Sequence, residues 1–281
     1  MQFTKMHGAG NDYVYIDGFK QTIIQPSQLA TAVSERHFGI GSDGLILILP
    51  SSRADLRMQM FNADGSEAEM CGNGLRCVAK YAWDHKLVDR LEIRVETGAG
   101  IMPVKMHCGK DQKINKVCVN MGQPHLRRAE IPMTGEANSE ALGINIEAGG
   151  QVYQGWCLSM GNPHCVIFVD DCDNFPVATV GPLIENHPLF PRRTNVEFVS
   201  VISNCELRQR TWERGAGETL ACGTGASAVT AAAVLSGRTD RKITNHLKGG
   251  PLELEWAADN CIYLTGPAAE VFTGDYPWDP K

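Results

Sequence analysis

Short runs, most of them alternating apolar and polar residues, are the dominant pattern along this chain. They are Asp12–Asp17, Leu45–Leu49, Leu56–Phe61, Leu91–Glu96, Ile101–Met106, Lys116–Met121, Val152–Ser159, Cys165–Val169, Asn195–Ile202, Leu207–Glu213, Leu252–Trp256 and Ile262–Thr265. Each has strand length and is bounded by glycine, proline, asparagine or aspartate, so a period of two predicts strands. Helical spacing is confined to Pro26–His37, Gly74–His85 and Gly223–Gly237, with shorter runs at Ala137–Leu142 and Val180–Asn186. Gly223–Gly237 is apolar almost all round (Ala226, Ala228, Val229, Ala231, Ala232, Ala233), and Gly74–His85 nearly so. A helix with no polar face belongs inside something. The pattern predicts an α+β fold in which a curled, mostly antiparallel sheet wraps a central helix, built twice.

The second copy is visible as a fixed offset. Cys71, in Met70-Cys71-Gly72-Asn73-Gly74, and Cys222, in Ala221-Cys222-Gly223-Thr224-Gly225, lie 151 positions apart. The same shift relates Asn11 to Asn162, each preceded by glycine, and Glu67 to Glu218. A duplicated unit whose halves face each other across one cleft accounts for this, with a thiol from each half at the site.

Composition narrows the function classes. At 281 residues the chain suffices for two domains, and 43% apolar against 21% charged residues lets each bury a core. A net charge of −6 with no basic run argues against a nucleic-acid or anionic-membrane partner. Met1–His7 lacks the apolar core of a signal peptide, and the longest aliphatic run, Leu45–Leu49, is too short to span a bilayer, so a cytoplasmic protein is expected. In a reducing compartment the ten cysteines are not a disulfide scaffold; Cys118, Cys157, Cys165 and Cys261 read as buried small hydrophobes. There is no Cys-x-x-Cys pair, phosphate-binding loop or dinucleotide fingerprint, so neither metal nor cofactor is expected.

Cys71 and Cys222 each immediately precede an apolar helix. There the unpaired N–H groups of the first turn and the positive end of the helix dipole favour thiolate over thiol, and a modest fall from about 8.5 yields a base useful near neutral pH. The following glycines let a ligand approach the backbone, and the same N–H groups suit a carboxylate. Two opposed thiols suit removal of a proton from one side of a carbon and delivery from the other.

At this point the residues resemble a known family. His7-Gly8-Ala9-Gly10-Asn11-Asp12, Gly39-Ile40-Gly41-Ser42-Asp43-Gly44, Phe61-Asn62-Ala63-Asp64-Gly65-Ser66, the two cysteine turns, Met160-Gly161-Asn162-Pro163-His164 and Glu213-Arg214-Gly215-Ala216-Gly217-Glu218-Thr219 are similar to the diaminopimelate epimerases, from Met1 to about Thr273. The resemblance implies a cofactor-independent isomerase that interconverts LL- and meso-2,6-diaminopimelate in lysine biosynthesis. It implies two similar domains, 1–118 with 268–281 and 119–267, the last strand returning to the first domain and the active site in the cleft between them. It implies Cys71 and Cys222 as the acid–base pair, exchanging roles with reaction direction. Asn11, Asn62, Asn162, Asn195, Glu213 and Arg214 match substrate-binding positions, Arg214 being suited to grip the distal carboxylate. Gly72, Asn73, Gly223 and Thr224 match the helix-end positions that take the reacting carboxylate. His164 and Glu213 match residues that tune the thiols, since a nearby imidazolium lowers a thiol pKa and a carboxylate raises it. Phe272 falls near a position where relatives carry a tyrosine linked to dimer formation, so a homodimer is expected.

Two rival readings share these features. A proline racemase or hydroxyproline epimerase uses the same two-thiol logic, but such relatives usually have histidine where Asn73 stands and lack the Glu213–Gly217 run. A non-catalytic redox sensor would use a Cys71–Cys222 disulfide, which for the epimerase is an oxidised dead end.

Overall fold

The computed structural model describes residues 1–279. These form two compact units, Met1–Asn120 together with the chain from Thr265 onward, and Met121–Leu264. The first unit begins with β1 (Gln2–Gly8), β2 (Asn11–Asp17), α1 (Pro26–Ser34), β3 (Gly44–Leu49), β4 (Leu56–Asn62), β5 (Glu67–Ala68), α2 (Gly72–Asp84), β6 (Glu92–Thr97), β7 (Gly100–Cys108) and β8 (Ile114–Asn120). β1 is antiparallel to β2, β2 parallel to β3, and β3 antiparallel to β4. β4 pairs with β5 and, in parallel, with β6, from which β7 and β8 run as an antiparallel meander.

Alternation explains how this sheet holds a helix on each face. Val14, Ile16, Leu45, Leu47 and Phe61 pack with Leu29, Ala30 and Val33 of α1. The intervening residues turn to α2, where the Tyr15 hydroxyl donates to the Gly74 carbonyl (3.4 Å) and Ile46 presses on Gly74. A Cβ at Gly74 would stand 2.6 Å from the Ile46 Cδ1, so the helix start needs glycine to come this close. α2 is buried nearly all round, including its cations. Lys80 is satisfied by Asp84 and the Ile114 carbonyl, both at 2.7 Å, and Arg76 donates from Nε to the Pro267 carbonyl (3.2 Å).

The second unit comprises β9 (Ala141–Ala148), β10 (Gln151–Ser159), β11 (Pro163–Phe168), α3 (Val177–Glu185), β12 (Asn195–Ser203), β13 (Glu206–Glu213), β14 (Gly217–Thr219), α4 (Gly223–Leu235), β15 (Lys242–Leu247), β16 (Gly250–Trp256) and the first half of β17 (Ile262–Pro267), whose residues from Thr265 belong to the first unit. From β10 to β16 its pairings repeat those from β1 to β7, parallel pairs included. The offset of 151 carries both ends of α1 onto α3 and both ends of α2 onto α4. α3 packs on Cys165, Ile167, Val196 and Phe198, and the alternate residues of β11 and β12 face α4. The outer edge of β10 is covered by β9. The matching edge of β1 is covered by the last strand, β18 (Ala269–Asp275), so the chain returns to the unit in which it began. Among the described residues no helix is long and apolar enough to cross a membrane.

The α+β class and the duplicated helix-in-sheet plan agree with the sequence reading, and several elements differ from it. Ala137–Leu142 is a turn leading into β9 rather than a helix. Gly143 takes a left-handed φ of 69°, and beyond it Ile146 and Ala148 are buried in a period of two. α1 stops at Ser34 instead of His37 because the Glu35 carboxylate accepts the His37 and Phe38 N–H groups and turns the chain. β1, β9, β15 and β18 were absent from the alternation pattern. Cys118 and Cys261 are only half-buried, Cys118 on a strand face with less cover than those of Cys157 and Cys165, and Cys261 in the turn that precedes β17.

Candidate active site

In the first unit the site is built at the start of α2. Cys71 is its N-cap, extended at φ −137° and ψ 119°, and the sulfur accepts the Gly74 N–H (3.5 Å). Serine, threonine, aspartate and asparagine cap helices better than sulfur does, so capping alone gives no reason for cysteine here. The thiol donates to Asn11 Oδ1 (3.4 Å), which also receives Asn73 Nδ2 (3.4 Å). Asn11 is held in turn by Asp43, whose Oδ2 accepts both Asn11 Nδ2 (2.7 Å) and the Asp12 N–H (3.0 Å). Arg36 bridges Asp12 and Asp43, each at 2.9 Å, and Lys5 pairs with Asp12. Burial alone would raise the Asp12 carboxyl, but Arg36 and Lys5 outweigh it and hold that carboxyl low. Asn62 closes β4 and donates to Ser66 Oγ (3.0 Å).

The second unit repeats the plan with different neighbours. Cys222 caps α4 at φ −127° and ψ 114°, its sulfur accepting the Gly225 N–H (3.4 Å) and lying 3.5 Å from Thr224 Oγ1. His164 is fully buried; Nε2 meets Asn162 Oδ1 at 2.9 Å and Nδ1 meets Glu197 at 2.7 Å. Glu213 accepts the Thr219 hydroxyl (2.5 Å). Asn195 is a staple, donating to the Pro163 carbonyl (2.7 Å) and accepting the Arg214 N–H (2.9 Å). This fixes the turn from which the exposed Arg214 side chain projects, with one Nη1 bond to the Arg192 carbonyl (3.1 Å). Gly72, Asn73, Gly223 and Thr224 form the first turns of the two helices, where backbone N–H groups lack an intrahelical acceptor. Among the described residues no group of three or more metal-ligating side chains is assembled.

The thiols do not behave as the helix ends alone suggest. The sequence reading expects both to be lowered, yet both are raised. At Cys71 burial is the largest effect, offset only in part by the Gly74 and Asn73 N–H groups and the Arg76 charge. Cys222 is pushed well up, by burial first and then by the negative charges of Glu213 and Glu197. Glu213 is itself raised by burial and by Glu197, against the opposing influence of Thr219 and His164. Desolvation of an anion outweighs a single helix end when the sulfur is this enclosed.

The family model of diaminopimelate epimerase matches residues 3–127 and 156–271. The diaminopimelate epimerase of Moorella thermoacetica is 53% identical over 283 residues, covering 99% of this chain and all of the relative. The chain belongs to the diaminopimelate epimerase family. Beyond the family only the fold is shared. A phenazine biosynthesis protein of the PhzF family from Bacillus anthracis superposes with a TM-score of 0.72 at 16% identity, covering 99% of both chains. A probable proline racemase from Agrobacterium radiobacter K84 does so with a TM-score of 0.69 at 16% identity, over 99% of this chain and 93% of that one.

In this member of the diaminopimelate epimerase family, the structure gathers Asn11, Cys71, Gly72 and Asn73 at one helix start, and His164, Glu213, Cys222, Gly223 and Thr224 at the other. Asn62 and Asn195 stand at strand ends, Asn62 bonded to Ser66 and Asn195 to the Pro163 carbonyl and the Arg214 N–H. Sequence reasoning missed Asp43, Arg76, Glu197 and Tyr13, whose hydroxyl faces the Cys71 thiol. The signal for Glu197 was a carboxylate at an inward position of the apolar run Asn195–Ile202, and for Arg76 a cation inside an otherwise apolar helix.

Proposed function

We propose that this protein interconverts LL- and meso-2,6-diaminopimelate by removing and returning the α-proton with two cysteines, Cys71 and Cys222, in lysine biosynthesis. The observation that carries the proposal is sulfur at the N-cap of two buried helices, at the same offset, in a chain 53% identical to a diaminopimelate epimerase. Inverting a stereocentre needs a base on one face and an acid on the other, and each unit supplies one thiol. The first-turn N–H groups of Gly72 and Asn73, and of Gly223 and Thr224, are suited to bind the α-carboxylate and to stabilise the charge that builds on it as the proton leaves. Arg214 is suited to the distal carboxylate, with Asn11, Asn62, Asn162, Asn195 and Glu213 completing the recognition of a zwitterion. With both thiols raised in the absence of ligand, the substrate ammonium supplies the positive charge that ionises one of them. Roles exchange with direction, and His164 and Glu213 tune the pair.

The likeness to a probable proline racemase carries the fold and no substrate, and a redox-sensing role has no observation in its favour. We further propose a cytoplasmic homodimer, in keeping with cysteines that are all free among the described residues and with the half-exposed Phe272 on β18. The deciding experiment incubates the protein with LL-diaminopimelate in D2O and follows deuterium at Cα together with formation of the meso isomer. Exchange with proline and none with diaminopimelate overturns the substrate; exchange that survives both Cys71→Ala and Cys222→Ala overturns the mechanism.

A further inference from the structure

The two units differ most where they should match best. Shifting by 151 carries Tyr13 onto His164, Ile46 onto Glu197 and Gly74 onto Gly225. In the first unit Ile46 fills the space beside Gly74; in the second, Glu197 Oε1 fills it, 2.6 Å from where a Cβ on Gly225 would stand. That same Cβ would lie 3.3 Å from the Cys222 sulfur, so the carboxylate sits against the start of α4 beside the thiol. Glu197 is fully buried, and its second oxygen, Oε2, has no hydrogen-bond partner. A buried carboxylate costs far more than an aliphatic side chain. The first unit shows that the same fold closes with isoleucine, so packing does not account for Glu197.

Its partner does. His164 and Glu197 lie on the parallel neighbours β11 and β12, where His164 stands opposite Asn195 and Glu197 opposite Val166. Both project toward α4, and the Nδ1···Oε1 distance is 2.7 Å. One ring nitrogen engaged by a carboxylate fixes the rotation of the imidazole, which leaves Nε2 to meet Asn162. We infer that Glu197 is a positioning residue of the epimerase reaction, orienting His164 and through it Asn162, and setting a buried carboxylate beside the Cys222 thiol. The inference rests on the two-cysteine reading given above. The groups facing Cys222 are Glu197 from β12, Glu213 from β13 and the Thr224 hydroxyl with the first turn of α4. His164 from β11 and Cys165 beside it complete the surroundings of Glu197.

The test is Glu197→Gln in the full chain, which keeps the shape and an acceptor for the ring but removes the charge. Two readouts are taken, namely kcat and KM in both directions, and the pH dependence of alkylation at Cys71 and Cys222, scored peptide by peptide. The expected result is a kcat lower by about tenfold to a hundredfold, a smaller loss than that of a proton-transfer group itself, with KM little changed. Cys222 alkylation moves to lower pH while that of Cys71 stays in place. Unchanged kcat with an unmoved Cys222 profile overturns the inference, as does a shift shared equally by both cysteines. Should Glu197→Gln fail to fold, the paired replacement His164→Tyr with Glu197→Ile installs the residues of the first unit and is read in the same way. Alkylation does not depend on turnover. A wild-type protein inert toward diaminopimelate therefore refutes the proposed function, while the Cys222 profile still decides whether the Glu197 carboxylate acts on the thiol.

Discussion

Replacing each cysteine by serine separates the capping of a helix from the chemistry at its end. Sulfur receives the N3 amide at 3.5 Å in α2 and 3.4 Å in α4, long contacts to a weak acceptor. A serine hydroxyl at N-cap improves on a poor cap by about 0.5–2 kcal/mol, so Cys71→Ser, at a half-buried position, should hold stability or raise it by about 0.5 kcal/mol. Cys222 is 7% exposed, and burying a hydroxyl there costs about 1–3 kcal/mol if left unpaired. The Gly225 N–H and the Glu213 carboxylate are at hand to pair it, so Cys222→Ser should change stability by less than about 1 kcal/mol. In a chain of this size that is a shift of about 2–4 °C in melting temperature. Epimerisation, in contrast, should fall by about 10²–10⁴-fold in either variant, because a hydroxyl does not ionise in this range. Thermal unfolding and deuterium uptake at Cα on the same preparations give both numbers. A loss of several kcal/mol that parallels the loss of activity would mean that sulfur is retained for packing, and the acid–base assignment would be refuted.

Two further outcomes follow from the second unit. Because the folded environment raises the Glu213 carboxyl, the stability tied to its proton is fully present below its unfolded pKa and is lost as pH rises through the folded one. Glu213→Gln should therefore melt higher than wild type at neutral pH and alike in acid, and Cys222 should alkylate at lower pH once that charge is gone; a melting difference that grows toward acid would contradict the sign. Arg214→Ala should raise KM for diaminopimelate by about tenfold to a hundredfold through loss of charge-assisted hydrogen bonds, with kcat less affected. Steady-state kinetics check this, and an unchanged KM removes Arg214 from substrate binding.

Strands that bury only hydrophobes were legible as soon as they were read, whether buried on both faces as Leu45–Leu49 or on alternate positions as Leu56–Phe61. β1 was not, because it buries Thr4 and Lys5 beside Phe3 and Met6, and Lys5 is tolerable there through Asp12 and the Gly41 carbonyl, which a linear reading does not bring near. β15 hides in the same way, its inward Asn245 donating to Gln209 Oε1 across the sheet (2.6 Å). β18 carries almost no pattern since most of it is exposed; what fixes it is the open edge of β1. The duplicated site was legible because a constant offset survives any error in element boundaries. The groups that set the electrostatics of the site were not. Asp43 and Glu197 act through partners far away in sequence, and the rise of both thiols depends on enclosure, which no spacing of residues reveals.

The placement of β18 also ties folding to the order of synthesis. Residues 121–264 form a contiguous stretch and can close as soon as they leave the ribosome. The unit made first in sequence cannot, because the strand that covers β1 is translated only after the whole of the second unit. Until Ala269–Asp275 emerges, β1 offers bare amides and carbonyls to any neighbouring chain, so a message truncated after residue 264 would yield a sound second half joined to an adhesive first one.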